Sequence, residues 1–339
     1  MMMMAVALLL VLHSCAAVVT PAADFDVTKV SFDDGFAHLF GGDNLVRSAD
    51  RRSASLTLNH YSGSGFISKD MYEYGFFSAS IKLPSNYTAG IVVAFYTSNG
   101  DVFKKTHDEL DIEFLGNVEG KNWRFQTNVY GNGSTSRGRE ERYLLPFDPT
   151  IEPHQYSILW TSGHVIFYVD DIPIREVVRS DAMGGDYPSK PMSLYATIWD
   201  GSAWATANGK YKVDYKYEPF VSDFSNLVLR GCRVDPIQQQ PDSPRRCAEA
   251  NDELTSADFA LMTPEKRAAM RRFRENYMTY SFCYDTKRYP VAFPDCDIVP
   301  SEQSRFSETG SAKNSRDRRR SKRQSWKPRA RRTNRAADT

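Results

Sequence analysis

The chain has 339 residues, enough for one large domain with a smaller unit beside it. The net charge of +1 hides a strong asymmetry, because from residue 312 onward twelve Lys and Arg stand against two acids. This end therefore carries +10, and the preceding residues carry −9. After the first 23 residues no stretch is long and apolar enough to cross a membrane as a helix, which argues against an integral membrane protein.

The first 23 residues have the pattern of a secretory signal. The apolar run Ala5–Leu12 is too short to span a bilayer, and small residues follow it. No Lys or Arg precedes this run, although such signals usually carry one, and cleavage near Ala17 and cleavage near Ala23 both remain open. We therefore expect a secreted, extracellular protein that loses Cys15 with its signal.

Short β-rich runs separated by turn residues fill most of residues 25–229. The runs are 78–83, 91–96, 107–117, 123–130, 156–160, 165–169, 192–199 and 210–218. Their lengths and the regular spacing of their turns predict an all-β fold built as a sandwich of two sheets.

The run 107–117 places acids on one side of a strand. Because side chains alternate along a strand, His107, Glu109, Asp111 and Glu113 share one face. Three carboxylates so close together raise the pKa of at least one of them. The other face is apolar except for Asp108, with Leu110, Ile112 and Phe114. The pattern predicts a strand whose back lies on a core and whose front is open to something polar.

The spacing of Glu109 and Glu113 permits a pair of catalytic carboxyls. Their Cα atoms would lie about 13 Å apart, and side chains leaning together over Asp111 could bring the carboxyls to ~5–6 Å. Retaining glycosidases use a gap of ~5–5.5 Å, whereas inverting enzymes need ~6.5–9.5 Å to admit a water. A solvated strand face and a calcium site are the alternatives for three clustered acids.

The run 123–130 predicts a neighbour of the acidic strand. Its residues alternate between a polar and an apolar face, and Gln126 and Asn128 lie on the polar one. We expect this strand to present the two amide side chains to the same cleft as the acids.

The last third of the chain differs from the β-rich part. Four cysteines remain after export, and in an exported protein they predict two disulfides with three connectivities open: Cys232, Cys247, Cys283 and Cys296. A zinc site is the alternative, although no Cys-x-x-Cys pair is present. The Thr-Pro-Glu triplet at 263–265 predicts a helix start, with the helix continuing to about Asn276.

These features divide the chain into four parts. We expect the signal at 1–23, the sandwich at 24–225, a cysteine-containing extension at 226–300 and a basic disordered tail at 301–339. The tail is Arg-rich from 316 to 335 and poor in apolar residues, as a disordered segment is. Two sequons, at Asn86 and Asn132, predict glycosylated surface loops.

The segment 107–117 reads His-Asp-Glu-Leu-Asp-Ile-Glu-Phe-Leu-Gly-Asn. At all eleven positions it resembles the active-site signature of the xyloglucan endotransglucosylase/hydrolases within glycoside hydrolase family 16, and the resemblance covers about residues 25–298. It implies a concanavalin A-like β-jelly roll whose concave sheet forms the substrate groove, lengthened on the acceptor side by the extension. It also favours sequential disulfide pairing, Cys232–Cys247 and Cys283–Cys296.

The resemblance further implies that Glu109 is the nucleophile, that Glu113 is the general acid and base, and that Asp111 holds the charge of Glu109. We expect the pKa of Glu113 to be raised by its anionic neighbours. The positions implied or expected to contact substrate are Tyr96, His107, Gln126, Asn128, Glu140, Arg142, Trp199, Trp204 and Arg288, with Arg139 in the same matching run as Glu140. Three other interpretations are open. The two amides can be polar groups at a strand edge, the tryptophans can pack in the core, and His107 can support Glu109 electrostatically.

Two positions depart from the family pattern. Asn117 is followed by Val-Glu and cannot begin a sequon, so the sequon at Asn132 is a candidate replacement. Thr286 stands where the family has the first arginine of its C-terminal signature, which leaves Lys287 or Arg288 as the candidate acceptor contact.

The implied activity is that of a secreted endo-transglucosylase, which cleaves xyloglucan, joins it to a second xyloglucan chain and so remodels the plant cell wall without a cofactor. A xyloglucan hydrolase and a non-catalytic glycan-binding module are the alternatives. For the tail we expect acidic wall polysaccharide as partner, with a solvated tail of no dedicated role as the alternative. Export argues against nucleic acid, and because no dimer seam is evident we expect a monomer.

Overall fold

The computed structural model describes residues 27–313 except residues 239 and 242. In this part of the chain the strands form two antiparallel sheets, one of eight strands and one of seven. The eight-stranded sheet runs, from edge to edge, through β1 (Phe36–Phe40), β4 (Ser64–Ser68), β13 (Ser193–Asp200), β6 (Ile91–Ser98), β7 (Glu109–Leu115), β8 (Arg124–Tyr130), β9 (Glu141–Tyr143) and β15 (Met278–Ser281). We call it the catalytic sheet, because it contains the acidic strand β7.

The seven-stranded sheet covers the back of the catalytic sheet. It runs through β12 (Ile172–Val178), β11 (His164–Val169), β10 (His154–Trp160), β5 (Met71–Lys82), β14 (Phe220–Val234), β3 (Ala54–Leu58) and β2 (Leu45–Arg47). The described elements also include six short 3₁₀ helices and four α-helices: α1 (Phe32–Gly35), α2 (Pro244–Ser256), α3 (Pro264–Tyr277) and α4 (Pro300–Gln303).

The core lies between the two sheets and follows from the period-two patterns. On β7, Leu110, Ile112 and Phe114 have no exposed surface, while the acids at the alternate positions face away from the core. The aromatic residue Tyr156 of β10 meets Phe114 edge-on, with ring centroids 4.7 Å apart, and so joins the two sheets. The predicted two-sheet sandwich of jelly-roll type is confirmed.

Most predicted strands are present, but the run 210–218 is not one. This segment crosses the turn at 201–206, where the amide of Val213 donates to Ser202 Oγ at 2.9 Å and the carbonyl of Lys212 accepts from Tyr87 at 3.2 Å. A 3₁₀ turn at Tyr215–Tyr217 ends it. The alternation of Tyr and Lys indicated a strand, but side chains from neighbouring loops satisfy this backbone instead of a sheet ladder.

The C-terminal extension has both predicted disulfides and the predicted helix. Cys232 is bonded to Cys247 and Cys283 to Cys296, which is the sequential pairing. Helix α3 begins after Thr263, whose hydroxyl accepts from the amide of Lys266, and has Pro in its first turn. Helix α2 was not predicted, although Ser243 caps it and Pro244 opens it in the same way.

The structure differs from the predicted divisions of the chain at two places. The boundary after residue 225 falls inside β14, which continues to Val234. Residues 301–313 are folded rather than disordered, because Phe306 is buried and stacks on Tyr284, and the amide of Ser281 on β15 donates to Gly310 at 3.0 Å. We call residues 300–313 the C-terminal strap; the rest of the predicted tail and the predicted signal lie outside the described residues.

No helix among residues 27–313, leaving aside 239 and 242, has the length and apolarity needed to cross a membrane.

Candidate active site

Strand β7 lies near the middle of the catalytic sheet, between β6 and β8, and the pairing of these strands sets what surrounds each acid. Residues directly opposite one another share a face. The pairs are Glu109 with Ser98 and Tyr130, Asp111 with Tyr96 and Asn128, and Glu113 with Ala94 and Gln126. The register therefore brings the predicted amides and Tyr96 to the acidic face.

Glu113 is held by Gln126 and carries the most informative pKa of the site. Gln126 Nε2 donates to Glu113 Oε2 at 2.5 Å. Burial raises the pKa of Glu113 to about 7, with the charges of Glu140 and Glu109 adding to the rise and the Gln126 hydrogen bond and Arg142 opposing it. The raised pKa agrees with the sequence-based expectation, but its first cause is desolvation rather than neighbouring anions.

Asp111, between the two glutamates, is only 6% exposed. Burial, together with the charges of Glu109 and Glu113, raises its pKa well above the ordinary value. The neighbouring Glu109 adds to the rise of the Asp111 pKa, and Asp111 in turn acts to lower the pKa of Glu109.

Glu109 is subject to opposing effects. Burial raises its pKa and outweighs the effects of the neighbouring Ser98, His107 and Asp111, which act to lower it. His107 lies just before β7, with its ring centroid 6.5 Å from that of Tyr130. His107 therefore lies beside the acidic face, and both roles considered from the sequence stay predictions.

The ring of Tyr96 is held in place by a neighbouring aromatic residue that was not predicted from the sequence. The Tyr96 ring stacks on Tyr195 of β13, with centroids 5.0 Å apart and planes 12° apart, and the Tyr195 hydroxyl donates to Asp101 at 2.7 Å. Tyr195 belongs to the same alternating face as Trp199, so the strand pattern contained the signal needed to include it.

Asn128 faces the site but bonds to its own strand. Its Nδ2 donates to the hydroxyl of Tyr130 at 2.6 Å, and its Oδ1 accepts from the amide of Val129 at 2.9 Å. The arrangement fixes the side chain opposite Asp111.

Beyond β8 the acidic face continues onto β9 and into the extension. Arg142 lies opposite Gln126, forms an ion pair with Glu140, and places its guanidinium 5.2 Å from the ring centroid of Tyr280 on β15. The extension therefore supplies the outermost strand of the catalytic sheet.

Arg288 lies further out, on the extension. It is exposed, with its guanidinium 5.0 Å from the ring centroid of Tyr289, and its amide donates to Asp285 at 3.0 Å. Thr286 is also exposed, and its hydroxyl lies 3.5 Å from the carbonyl of Glu308 in the strap. The position with the missing arginine therefore faces the strap.

The two tryptophans lie together at the other side of β7. Their ring centroids are 6.0 Å apart. Trp199 is half-buried against Val92 and Leu115, and Trp204 is 37% exposed. Their partial exposure fits a platform better than a core position.

Two charged residues near the site are structural. Arg139 is fully buried, donating to Asp295 at 2.9 Å and to Asp186 at 3.1 Å, so it cannot face the cleft as Glu140 and Arg142 do. Asp108, which the sequence showed only as a polar residue on an apolar face, is 1% exposed. It accepts from the amides of Asn132, Ser189 and Lys190 and from Lys190 Nζ, all at 2.7–2.8 Å, and so binds two loops to the start of β7.

Both sequon asparagines, Asn86 and Asn132, are exposed in loops, as glycosylation requires. In the part of the chain that the structure describes, no group of three or more His, Cys, Asp or Glu side chains is arranged to hold a metal ion.

Comparison with known proteins agrees with this architecture. Residues 32–217 match Glycosyl hydrolases family 16, and residues 250–296 match the Xyloglucan endo-transglycosylase (XET) C-terminus. Probable xyloglucan endotransglucosylase/hydrolase protein 30 of Arabidopsis thaliana is 58% identical over 322 residues, which cover 94% of this chain and 93% of the relative. Protein 29 of the same plant is 59% identical over 296 residues, 85% of this chain and 83% of the relative.

Among solved structures, the laminarinase catalytic domain from Thermotoga maritima MSB8 aligns with a TM-score of 0.50 at 16% identity, covering 61% of this chain and 98% of that chain. This likeness shows the fold alone. The matched regions correspond to the sandwich and to the extension, which together define a family 16 glycosyl hydrolase with an added C-terminal unit. The chain belongs to the xyloglucan endotransglucosylase/hydrolase family, and it is an enzyme.

Proposed function

We propose that the protein is a retaining transglucosylase of xyloglucan in which Glu109 is the nucleophile and Glu113 the general acid and base. One observation carries this assignment: the two carboxyls share a face of β7 with Asp111 between them, and Gln126 Nε2 donates to the carboxyl of Glu113 at 2.5 Å. Burial raises the pKa of both glutamates, that of Glu113 to about 7, and at Glu109 the neighbouring Ser98, His107 and Asp111 oppose the rise. A carboxyl whose raised pKa keeps it protonated up to near-neutral pH, beside a second carboxyl on the same face, suits acid–base chemistry at a glycosidic bond.

The reaction then proceeds in two displacements. Glu109 attacks the anomeric carbon, the bond from that carbon to the glycosidic oxygen breaks, and Glu113 gives its proton to the departing oxygen. A covalent glycosyl-enzyme remains. Glu113, now ionised, takes the proton from a hydroxyl of a second sugar chain, whose oxygen displaces Glu109. Water in place of that hydroxyl gives hydrolysis.

The extension is the feature that favours transfer to sugar over transfer to water. Strand β15 and Tyr280 widen the catalytic sheet beyond β9, next to Arg142 and on the Glu113 side of the site. A second chain held there has a high effective concentration at the glycosyl-enzyme, which lets it compete with water. The exposed Trp204 offers an apolar ring face for sugar at the other flank.

The test incubates the enzyme with xyloglucan and a labelled xyloglucan oligosaccharide. Label moving into polymer supports the transferase, whereas new reducing ends without label in polymer identify a hydrolase. Binding without either product would contradict the catalytic proposal. Glu109→Gln and Glu113→Gln should lose activity in both assays, and Glu119→Gln, an exposed glutamate after β7, is the matched control.

We also propose that the enzyme is secreted, acts in the cell wall and binds acidic wall polysaccharide through its basic end. The support is the signal pattern of residues 1–23 and the charge of +10 after residue 311. Because the strap is folded, the truncation that tests this proposal should follow Lys313. The truncated protein should lose salt-sensitive retention on polygalacturonate and keep chain transfer; unchanged retention would refute the tether.

A further inference from the structure

Arg274 belongs to helix α3 of the extension, yet it reaches the catalytic sheet. Its Nη1 and Nη2 donate to the two carboxylate oxygens of Glu141 on β9 at 2.7 and 2.9 Å. Its Nε and Nη2 also donate to Glu302 of the C-terminal strap at 2.8 and 3.2 Å. One guanidinium thus joins a strand of the catalytic sheet to two segments of the extension.

Glu141 is surrounded by donors on every side that the described residues supply. It is 3% exposed, accepts from Ser281 Oγ at 3.0 Å and from the hydroxyl of Tyr143, and lies 3.6 Å from Arg175 Nε. Although burial alone would raise it, the charges of Arg274 and Arg175 hold the pKa of Glu141 at about 2. A buried carboxylate with this many partners has one well-defined position.

The residues on either side of Glu141 in sequence face the opposite way. Arg142 lies opposite Gln126 on the acidic face, whereas Glu141 lies opposite Thr127 on the back. Glu140 and Arg142 form an ion pair. A movement of Glu141 therefore moves both of these charges, because they are its immediate neighbours in the chain.

We propose that Arg274 is a positioning residue of the active site: by clamping Glu141 on one face of β9, it fixes Glu140 and Arg142 beside Glu113 on the other. The inference rests on the proposed role of Glu113. The extension is then more than added binding surface, since it controls the charges around the acid.

The predicted consequence is a change in the pH dependence of the reaction. The charged and titratable groups that act on Glu113 come from four strands or their ends: Glu109, Asp111, Tyr96, Tyr130, Glu140 and Arg142. Glu140 and Arg142 are the two charged residues next to Glu141 in the chain. Glu140 raises the pKa of Glu113 more than Arg142 lowers it. Loss of the Arg274–Glu141 ion pair should therefore lower the pKa of Glu113.

The decisive variant is Arg274→Met combined with Glu141→Gln. It removes both members of the ion pair and keeps the net charge of the chain. Glu302 and Arg175 each lose an opposite charge but keep their hydrogen bonds to the Tyr284 hydroxyl and to Thr127. The alkaline limb of kcat/KM against pH should move to lower pH by about 0.5 unit or more. Arg274→Lys, which keeps one cation but loses the fork that reaches both carboxylates, should shift it less.

The matched control is Arg267→Met on the same helix, because Arg267 pairs with Glu176 on the other sheet. In this control the alkaline limb of kcat/KM should stay in place, and a similar shift would overturn the proposed positioning role of Arg274. The position of the limb does not depend on the amount of folded enzyme, so a partly unfolded variant still reports it. If the double variant is inactive, Arg274→Lys carries the comparison.

An unmoved alkaline limb in the double variant overturns the inference. That failure is distinct from failure of the proposed function, which would show as full chain transfer by Glu113→Gln.

Discussion

Gln126 Nε2 donates to Glu113 Oε2 across the β7–β8 pairing, at 2.5 Å, and this is the carboxyl whose pKa is raised to about 7. The hydrogen bond stabilises the ionised form, so it limits a rise that burial causes. The pKa of the proposed acid therefore depends on two opposed effects: burial raises it, and the hydrogen bond from Gln126 lowers it.

Gln126→Ala should move the alkaline limb of kcat/KM to higher pH. The substitution removes the bond that lowers the pKa of Glu113, so the acid stays protonated to a higher pH, by about one unit. The measurement is the pH profile of chain transfer. Gln155→Ala, which removes a glutamine that donates to Ser78 on the other sheet, is the control. A limb that moves to lower pH, or equally in both variants, would disprove the role of Gln126.

The sequence predicted this part of the site well, because a period of two assigns every residue of a strand to a face. Gln126 and Asn128 were placed correctly beside the acids without knowledge of the register. The structural role of Asp108 could not be predicted in this way, because its partners come from loops at 132 and 189–190, distant in sequence. The strap was missed for the same reason, since Glu302 gains its partner Arg274 only after folding.

Glu113→Gln should stabilise the protein more at pH 8 than at pH 4. The folded-state pKa of about 7 lies above the ordinary value of 4.5, so folding loses stability as pH rises between these values. The loss is on the order of 3 kcal/mol once the group is ionised. Thermal unfolding at the two pH values measures it, with the exposed Glu119→Gln as control. An equal change at both pH values would contradict the raised pKa.

The contribution of Asp111 to catalysis should depend on its ability to donate a hydrogen bond. Burial and the charges of Glu109 and Glu113 raise its pKa well above the ordinary value, and we propose that it donates its proton in a hydrogen bond to Glu109. Asn keeps a donor of similar shape, so Asp111→Asn should lose about 10-fold in kcat/KM and Asp111→Ala about 100-fold or more. Steady-state kinetics of both variants gives the comparison. Equal losses would mean that the hydrogen bond is not what Asp111 contributes.

Asp108 should matter for stability more than any exposed acid. Four donors converge on its buried carboxylate, and Asp108→Ala leaves them without an acceptor. We expect a loss of about 3 kcal/mol or more in the free energy of unfolding, measured by urea denaturation. Asp223→Ala, which removes an exposed partner of Ser55, should remain near the parent. Similar values for the two variants would refute this account of Asp108.

The most direct test of the central claim is to trap the glycosyl-enzyme. A slow fluorinated glucan oligosaccharide with an activated leaving group at its anomeric carbon, added to the parent enzyme, should leave its whole glycosyl chain attached, and peptide mass spectrometry should locate the chain on Glu109. Prior substitution by Glu109→Gln should abolish the adduct, whereas Glu119→Gln should not. An adduct on Asp111 or Glu113, or efficient chain transfer by Glu109→Gln, would contradict the account.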